Sequence, residues 1–382
     1  MNTENSTVVA IAGKNNIAVE VLEYVTTKYK DDISVLAVCN RTEKGTDTWQ
    51  KSFRKYVQQM GVPEVELEAL YGIKKLIFIS LEFDRIIKPH LFSTKWLFNI
   101  HFSLLPKYKG VYTSVFPILN GEAESGVTLH KINCGIDTGD IIMQRRFKLS
   151  AGETARSLYF KYIDAGTILM KQNIDQLILN PQDVVAYCQD MEESTYYSRK
   201  TIDYSNIKID LLQTAQMIDR QIRAFSFREY QMPMVYDMPV IAVSITTVKS
   251  VAKPGTVLYR TEEGMLLSTI DYNIILYFDR FGELLESCRS GNISKVREII
   301  TVKEHINQVD EHGRTPLITA TCYNHPDIVE LLMMQGADLF VQDYYGKNSL
   351  MYAEEAGDES LCRLFLNIGR DHAGVGGFYG GL

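Results

Sequence analysis

The sequence predicts an α/β protein: an open, mostly parallel sheet, then a small β-rich subdomain, then an all-α repeat module. Three observations predict it: apolar runs alternating with helical spacing near the start, short alternating runs after Pro233, and a self-repeat from residue 282 onward. Continuous apolar runs separated by helices mark strands covered on both faces, which is the pattern of a parallel sheet.

Val8 to Ala12 reads as the first buried strand, Gly13-Lys14-Asn15-Asn16 as a turn, and Ile17 to Tyr29 as a helix. A second strand, Ile33 to Cys39, ends in Asn40-Arg41. A third spans Lys75 to Ile79 and a fourth lies around Trp96 to His101. Strands alternating with helices give an open α/β sheet. From about residue 186 the texture changes: Tyr196, Tyr197, Arg199 and Lys200 precede a helical segment expected over Ile209 to Phe225. Val240 to Val248, Gly255 to Tyr259, Gly264 to Ser268 and Asn273 to Phe278 then alternate as antiparallel strands do.

The last segment repeats at a 33-residue offset: Asp310 to Leu317, with Gly313, Thr315 and Pro316, recurs as Asp343 to Leu350. The same offset relates Ile299, Leu332 and Phe365. That period, with Gly313-Arg314-Thr315-Pro316-Leu317 and Gly336-Ala337-Asp338, resembles the ankyrin repeat. Three such units are near the minimum for a stack, so they are expected to pack on the preceding subdomain. The glycine-rich end, Gly374 to Leu382, is expected to be loosely ordered.

The 382 residues suit two or three domains, and 46% hydrophobic with 23% charged residues is a soluble globular balance. No apolar stretch reaches a membrane-spanning length of about 18 residues. The residues up to Asn16 show no basic region before an apolar run, so no signal peptide is expected. Cys39, Cys134, Cys188, Cys288, Cys322 and Cys362 have no CxxC spacing, which fits reduced thiols in a cytoplasmic protein and suggests no metal site. The net charge of −7 is uneven: residues 1–279 hold 31 Lys and Arg against 32 Asp and Glu, and residues 280–382 hold 9 against 15. No clustered basic face for nucleic acid is present.

The chemistry lies in two segments. Phe98-Asn99-Ile100-His101 places Asn99 and His101 two apart, hence on one face of a strand end. Pro106 and Gly110 then force a loop that leaves the imidazole open to a cleft. Thirty-six residues after His101, Asp137 lies in the glycine-bracketed loop Cys134-Gly135-Ile136-Asp137-Thr138-Gly139-Asp140, which follows the strand Gly126 to Ile132. Together, in this order and spacing, the segments resemble the folate-dependent formyltransferases, which act on glycinamide ribonucleotide, methionyl-tRNA or sugar nucleotides. The resemblance is close over residues 75–150 and loose over the first 275. It implies a Rossmann-like formyltransferase fold, a formyltransferase domain over residues 1–185, a β-rich subdomain over 186–279, ankyrin repeats over 280–371 and a tail over 372–382.

The resemblance puts the family's catalytic asparagine, histidine and aspartate on Asn99, His101 and Asp137. A carboxamide can stabilise a tetrahedral oxyanion, an effect worth roughly 3–4 kcal/mol in a related setting. An imidazole of unperturbed pKa about 6.5 suits removal of the amine proton. Asp137 would orient the ring or carry the proton onward. The implied formyl donor is 10-formyltetrahydrofolate, with main-chain contacts expected at Arg85 and Ile87, Phe83 beside them, and pocket walls at Asn133 and Cys134.

A tRNA acceptor calls for a basic surface, and glycinamide ribonucleotide enzymes lack the later segments. The whole architecture resembles the ankyrin-bearing bacterial enzymes that formylate dTDP-linked 3-amino-3,6-dideoxyhexoses for O-antigen and lipopolysaccharide. For such a substrate Asn15, Asn16 and Glu82 are placed for the sugar, Arg41 and Arg223 for phosphates, and Phe227 and Tyr230 for the base. A homodimer is expected, with the repeats a cap or dimer contact first, an accessory ligand site second and a protein adaptor third. The competing expectations are a formyltransferase acting on another amine, a 4-amino sugar nucleotide or methionyl-tRNA, and an ankyrin scaffold presenting a non-catalytic formyltransferase fold.

Overall fold

The computed structural model describes residues 7–30 and 32–373; the glycine-rich tail lies outside the described residues. By their contacts the residues form two compact units. One comprises the chain up to Ile207 together with Arg223–Gln231; the other comprises Lys208–Ile222 and the chain from Met232 onward.

The first unit is built on a six-stranded sheet. Its strands are Val8–Gly13 (β1), Ser34–Cys39 (β2), Leu76–Leu81 (β3), Leu97–His101 (β4), Glu124–Lys131 (β6) and Ile141–Lys148 (β7), in the order β2-β1-β3-β4-β6-β7. Lys109–Gly110 (β5) lies outside it and pairs in parallel with Tyr196–Tyr197 (β8). The first four strands of the order run parallel, and β6 and β7 are antiparallel to their neighbours. Alternation along β1 sends Val9 and Ile11 into one core, with the helices Asn15–Tyr29 (α1) and Ala155–Leu179 (α4), while Ala10 and Ala12 enter another. The short helices Phe53–Gln59 (α2) and Phe116–Leu119 (α3) complete this unit.

Strand ends shift by one or two residues, and two helices differ from the sequence expectation. The helix α1 begins at Asn15, two residues before Ile17. The helix expected over Ile209 to Phe225 is only Ala215–Ala224 (α5). Asp210 accepts the Leu212 amide at 2.9 Å and the Gln213 side chain at 2.8 Å, which turns the chain before Thr214.

The second unit joins an antiparallel sheet to paired helices. Its strands Met234–Val235 (β9), Met238–Lys249 (β10), Val257–Arg260 (β11), Gly264–Leu267 (β12) and Tyr272–Phe278 (β13) order as β11-β12-β13-β10-β9. The helices pair as Phe281–Ser290 (α6) with Ile293–Ile299 (α7), Pro316–Cys322 (α8) with Pro326–Met334 (α9), and Ser349–Glu355 (α10) with Glu359–Ala373 (α11). The repeats meet the sheet within this unit: buried His305, after α7, lies 3.8 Å from Asp279, whose amide bonds the Pro239 carbonyl of β10 at 2.8 Å.

Candidate active site

The antiparallel register of β4 and β6 sets Asn99 opposite His130 and His101 opposite Thr128. His101 Nε2 lies 2.8 Å from the Tyr108 carbonyl, which can only accept, so this nitrogen carries the hydrogen. The other ring nitrogen, Nδ1, lies 3.5 Å from Asp137 Oδ2. His130 has the opposite tautomer. Its Nδ1 donates to the Lys131 carbonyl at 2.8 Å and its Nε2 accepts from Asn99 Nδ2 at 3.0 Å.

Burial pushes the His130 ring down to about 4, against the attraction of Asp137, so it is neutral near pH 7. His101 is thus the imidazole with a ring nitrogen turned toward the carboxylate. Asn99 keeps one Nδ2 hydrogen beyond its bond to His130, a donor for a nascent oxyanion. Asp137 has the left-handed backbone angle φ 52°, and its Oδ2 accepts the Gly110 amide at 2.9 Å. Buried Lys109 adjoins this cluster, and desolvation lowers its ammonium pKa.

The neighbouring strand ends form a second group. Glu82, after β3, accepts from Asn15 Nδ2 at 3.2 Å and from the Tyr159 hydroxyl at 2.8 Å. Burial raises its carboxyl above the ordinary carboxylate range. Asn40, 1% exposed, holds the Glu82 carbonyl at 2.9 Å and the Asp84 amide at 3.3 Å. Trp49 packs against Tyr159, Phe227 and Tyr230 with ring centroids 5.6, 5.4 and 5.5 Å away. Phe102, next to His101, has its ring centroid 6.0 Å from that of Tyr159, so the aromatic group runs up to the end of β4.

The structure brings together Asn99, His101 and Asp137, and separately Asn15, Glu82, Phe227 and Tyr230. Asn16 faces another way: its Oδ1 caps the Lys51 amide at 2.8 Å. Arg41 is largely exposed, 3.4 Å from Asp84. Arg223 donates to the Glu153 carbonyl at 2.9 Å, and Arg85 pairs with Glu68. Ile87 is buried and Phe83 half-buried in the core under that loop. Asn133 accepts from Gly135 N and Thr138 Oγ1, and Cys134 is exposed at the loop tip. Sequence reasoning missed His130, Trp49 and Tyr159. His130 had a usable signal, the register opposite Asn99; the two aromatics had none. Among the described residues no group of three or more His, Cys, Asp or Glu could hold a metal ion.

The formyl transferase family model matches residues 75–174, the stretch that carries Asn99, His101, His130 and Asp137. The model for ankyrin repeats, in three copies, matches residues 284–373. An N-formyltransferase from Helicobacter canadensis, solved with folinic acid and dTDP-3-aminofucose, is 43% identical. It has a TM-score of 0.65 and covers 71% of this chain and 99% of its own. The chain belongs to the formyltransferase family. A second solved relative, the sugar 3N-formyltransferase WlaRD with dTDP and 5-N-formyl-THF, is 41% identical with a TM-score of 0.66. It covers 72% of this chain and 98% of its own. The methionyl-tRNA formyltransferase of Fervidobacterium nodosum is 30% identical over 225 residues, 56% of this chain and 69% of that protein. For two other methionyl-tRNA formyltransferases the spanned share is 51% and 54% of their length. The formyl transferase match thus falls within the first unit, and the paired helices of the second are ankyrin repeats.

Proposed function

We propose that this formyltransferase moves the formyl group of 10-formyltetrahydrofolate to the amine of a dTDP-linked 3-amino-3,6-dideoxyhexose, of the gluco or galacto series. The carrying observation is the Asn99–His101–Asp137 cluster at a strand end beside an aromatic-walled group with a buried carboxylate. The solved relatives at 43% and 41% identity, crystallised with dTDP-3-aminofucose and with dTDP, support the acceptor class.

The sugar nitrogen attacks the formyl carbon, and the oxygen turns anionic. Asn99 Nδ2 donates to that oxygen. The new N–C bond leaves the nitrogen cationic, and its proton passes to His101 Nδ1, where Asp137 stabilises the imidazolium. Collapse breaks the bond from carbon to the folate N10, which takes the proton and leaves as tetrahydrofolate. Glu82, Asn15 and Tyr159 would hold the hexose, and Tyr230, 60% exposed beside Trp49, the base. Arg41, exposed at the sheet edge, would meet the diphosphate. The loop at Phe83, Arg85 and Ile87, with Asn133 and Cys134, would hold the folate. A cytoplasmic place, a role in O-antigen and lipopolysaccharide synthesis and a homodimer belong to the same reading; among the described residues no helix is long and apolar enough to cross a membrane.

The test is release of tetrahydrofolate on mixing protein, formyl donor and a panel of dTDP-3-amino and dTDP-4-amino sugars. Turnover of a 3-amino sugar is expected; none with any nucleotide-amino sugar sinks the reading in favour of a scaffold.

A further inference from the structure

The segment from Tyr187 to Tyr197 crosses both loops that hold the catalytic cluster, and nothing in the proposed chemistry uses it. We propose that it is a positioning strap, in which Gln189 and Thr195 set the approach of His101 to Asp137 for formyl transfer. This rests on the formyl-transfer reading.

At one end the strap grips the Asp137 loop. Gln189 Nε2 donates to the Asp137 carbonyl at 2.8 Å and to the Gly139 carbonyl at 2.7 Å. Both partners are carbonyls, so both amide hydrogens are engaged and the amide orientation is fixed. Tyr187 pairs with Ile141 through two backbone bonds of 2.9 Å at the loop's exit. Asp137 keeps its left-handed backbone, an unfavourable state for a non-glycine residue, under this clamp. Gln189 Oε1 is itself buried without a hydrogen-bond partner among the described residues. A side chain chosen for stability alone would not leave an acceptor orphaned; one placed for its two donors can.

At the other end the strap grips the loop after His101. Thr195 Oγ1 accepts the Tyr108 amide at 2.7 Å, and the Thr195 carbonyl accepts the Lys109 amide at 2.9 Å. Tyr108 supplies the carbonyl that binds His101 Nε2, and Gly110 supplies the amide that binds Asp137 Oδ2. The β5–β8 pairing is so close that a Cβ on Gly110 would sit 2.2 Å from the Tyr197 carbonyl. The Tyr197 ring stacks on Phe116 with centroids 3.5 Å apart, which anchors the strap's end. Both members of the His101–Asp137 pair are therefore held through one eleven-residue segment.

The test uses the full chain with Gln189→Met, which keeps length and removes both donors, and Thr195→Val, which keeps shape and removes the acceptor. Each is expected to lower kcat by about 10- to 100-fold, as a roughly 1 Å misplacement does, with KM for the nucleotide sugar unchanged. In the substrate-free protein, exchange of the Gly110 amide should accelerate by about tenfold as the loops open locally. Thr195→Ser should restore both readouts. Wild-type kcat together with wild-type Gly110 protection overturns the strap, and so does a loss of kcat explained by melting at the assay temperature. If the wild-type protein turns over no nucleotide-amino sugar, the functional reading falls on that result alone. The Gly110 exchange, which needs no substrate, then still decides whether the strap holds the pair.

Discussion

His101 and His130 are both buried, 7% and 2% exposed, yet opposite ring nitrogens donate: Nε2 of His101 to Tyr108 and Nδ1 of His130 to Lys131. Replacing His101 by Asn removes the basic nitrogen, so formyl transfer should fall by about 10²–10⁴-fold, the usual worth of a general base. The fold should persist, as read by circular dichroism; near-normal turnover would show that another group takes the proton. His130 makes a stability prediction. Its ring titrates at about 4 folded rather than at the ordinary 6.5. The unfolded chain therefore binds the proton first, and stability is lost as pH falls through that window. His130→Gln can still accept from Asn99 but cannot titrate, so its melting temperature should fall less between those pH values than that of the wild type. Equal slopes would mean that the imidazole is charged in the fold. At this scale the sequence offered Asn99, His101 and Asp137 as candidates, because their types and spacing resemble the family's motif, and the fold places them together. It did not show Trp49 or Tyr159, because an aromatic wall is assembled from distant elements and has no local signature.

The ankyrin turns show how a repeat is written into an element. Asp310 Oδ1 accepts the His312 and Arg314 amides, each at 2.9 Å, and Asp343 Oδ1 accepts those of Tyr345 and Lys347 at 2.9 and 3.0 Å. Gly313 and Gly346 take φ values of 79° and 77°, which close both turns. Asp343 is fully buried and also binds the Tyr352 hydroxyl, so Asp343→Ala should lower stability by about 3 kcal/mol. A urea titration measures it; Asp343→Asn, which keeps an acceptor for the turn, should recover much of the loss. An alanine variant as stable as wild type would show that the turn forms without its carboxylate. These turns were legible because one chemical solution recurs at a fixed offset. The helix α4 was not. Its buried residues, from Leu158 through Tyr162, Ile163, Gly166 and Leu169 to Ile178, spread around much of its girth. Gly166 lets it pack closely: a Cβ there would lie 2.9 Å from Ile17 and 3.2 Å from Ile100. A helix covered on several sides has no narrow apolar stripe to read.

Across the whole molecule, charge argues for one of the two acceptor classes that the relatives represent. Phosphate-rich tRNA binds through many Lys and Arg contacts, each releasing counterions, so a tRNA enzyme needs an excess of basic residues on the surface it offers. Residues 1–279 are nearly balanced, at 31 basic against 32 acidic, and residues 280–382 are acidic, at 9 against 15. Several candidate cations are moreover engaged in ion pairs, as Arg54 is with Glu64, Arg156 with Glu229 and Lys171 with Glu20. A nucleotide sugar asks for far less: two phosphates and a few polar contacts in a pocket. Initiator methionyl-tRNA should therefore show no retardation with this protein in a gel-shift assay at physiological salt, and no formylation above background. The dTDP-3-amino sugar should turn over under the same conditions. Lowering the salt should not rescue tRNA formylation, because screening is not what prevents it. Formylation of the tRNA at physiological salt would overturn the charge argument and return the methionyl-tRNA relatives as the guide to the acceptor.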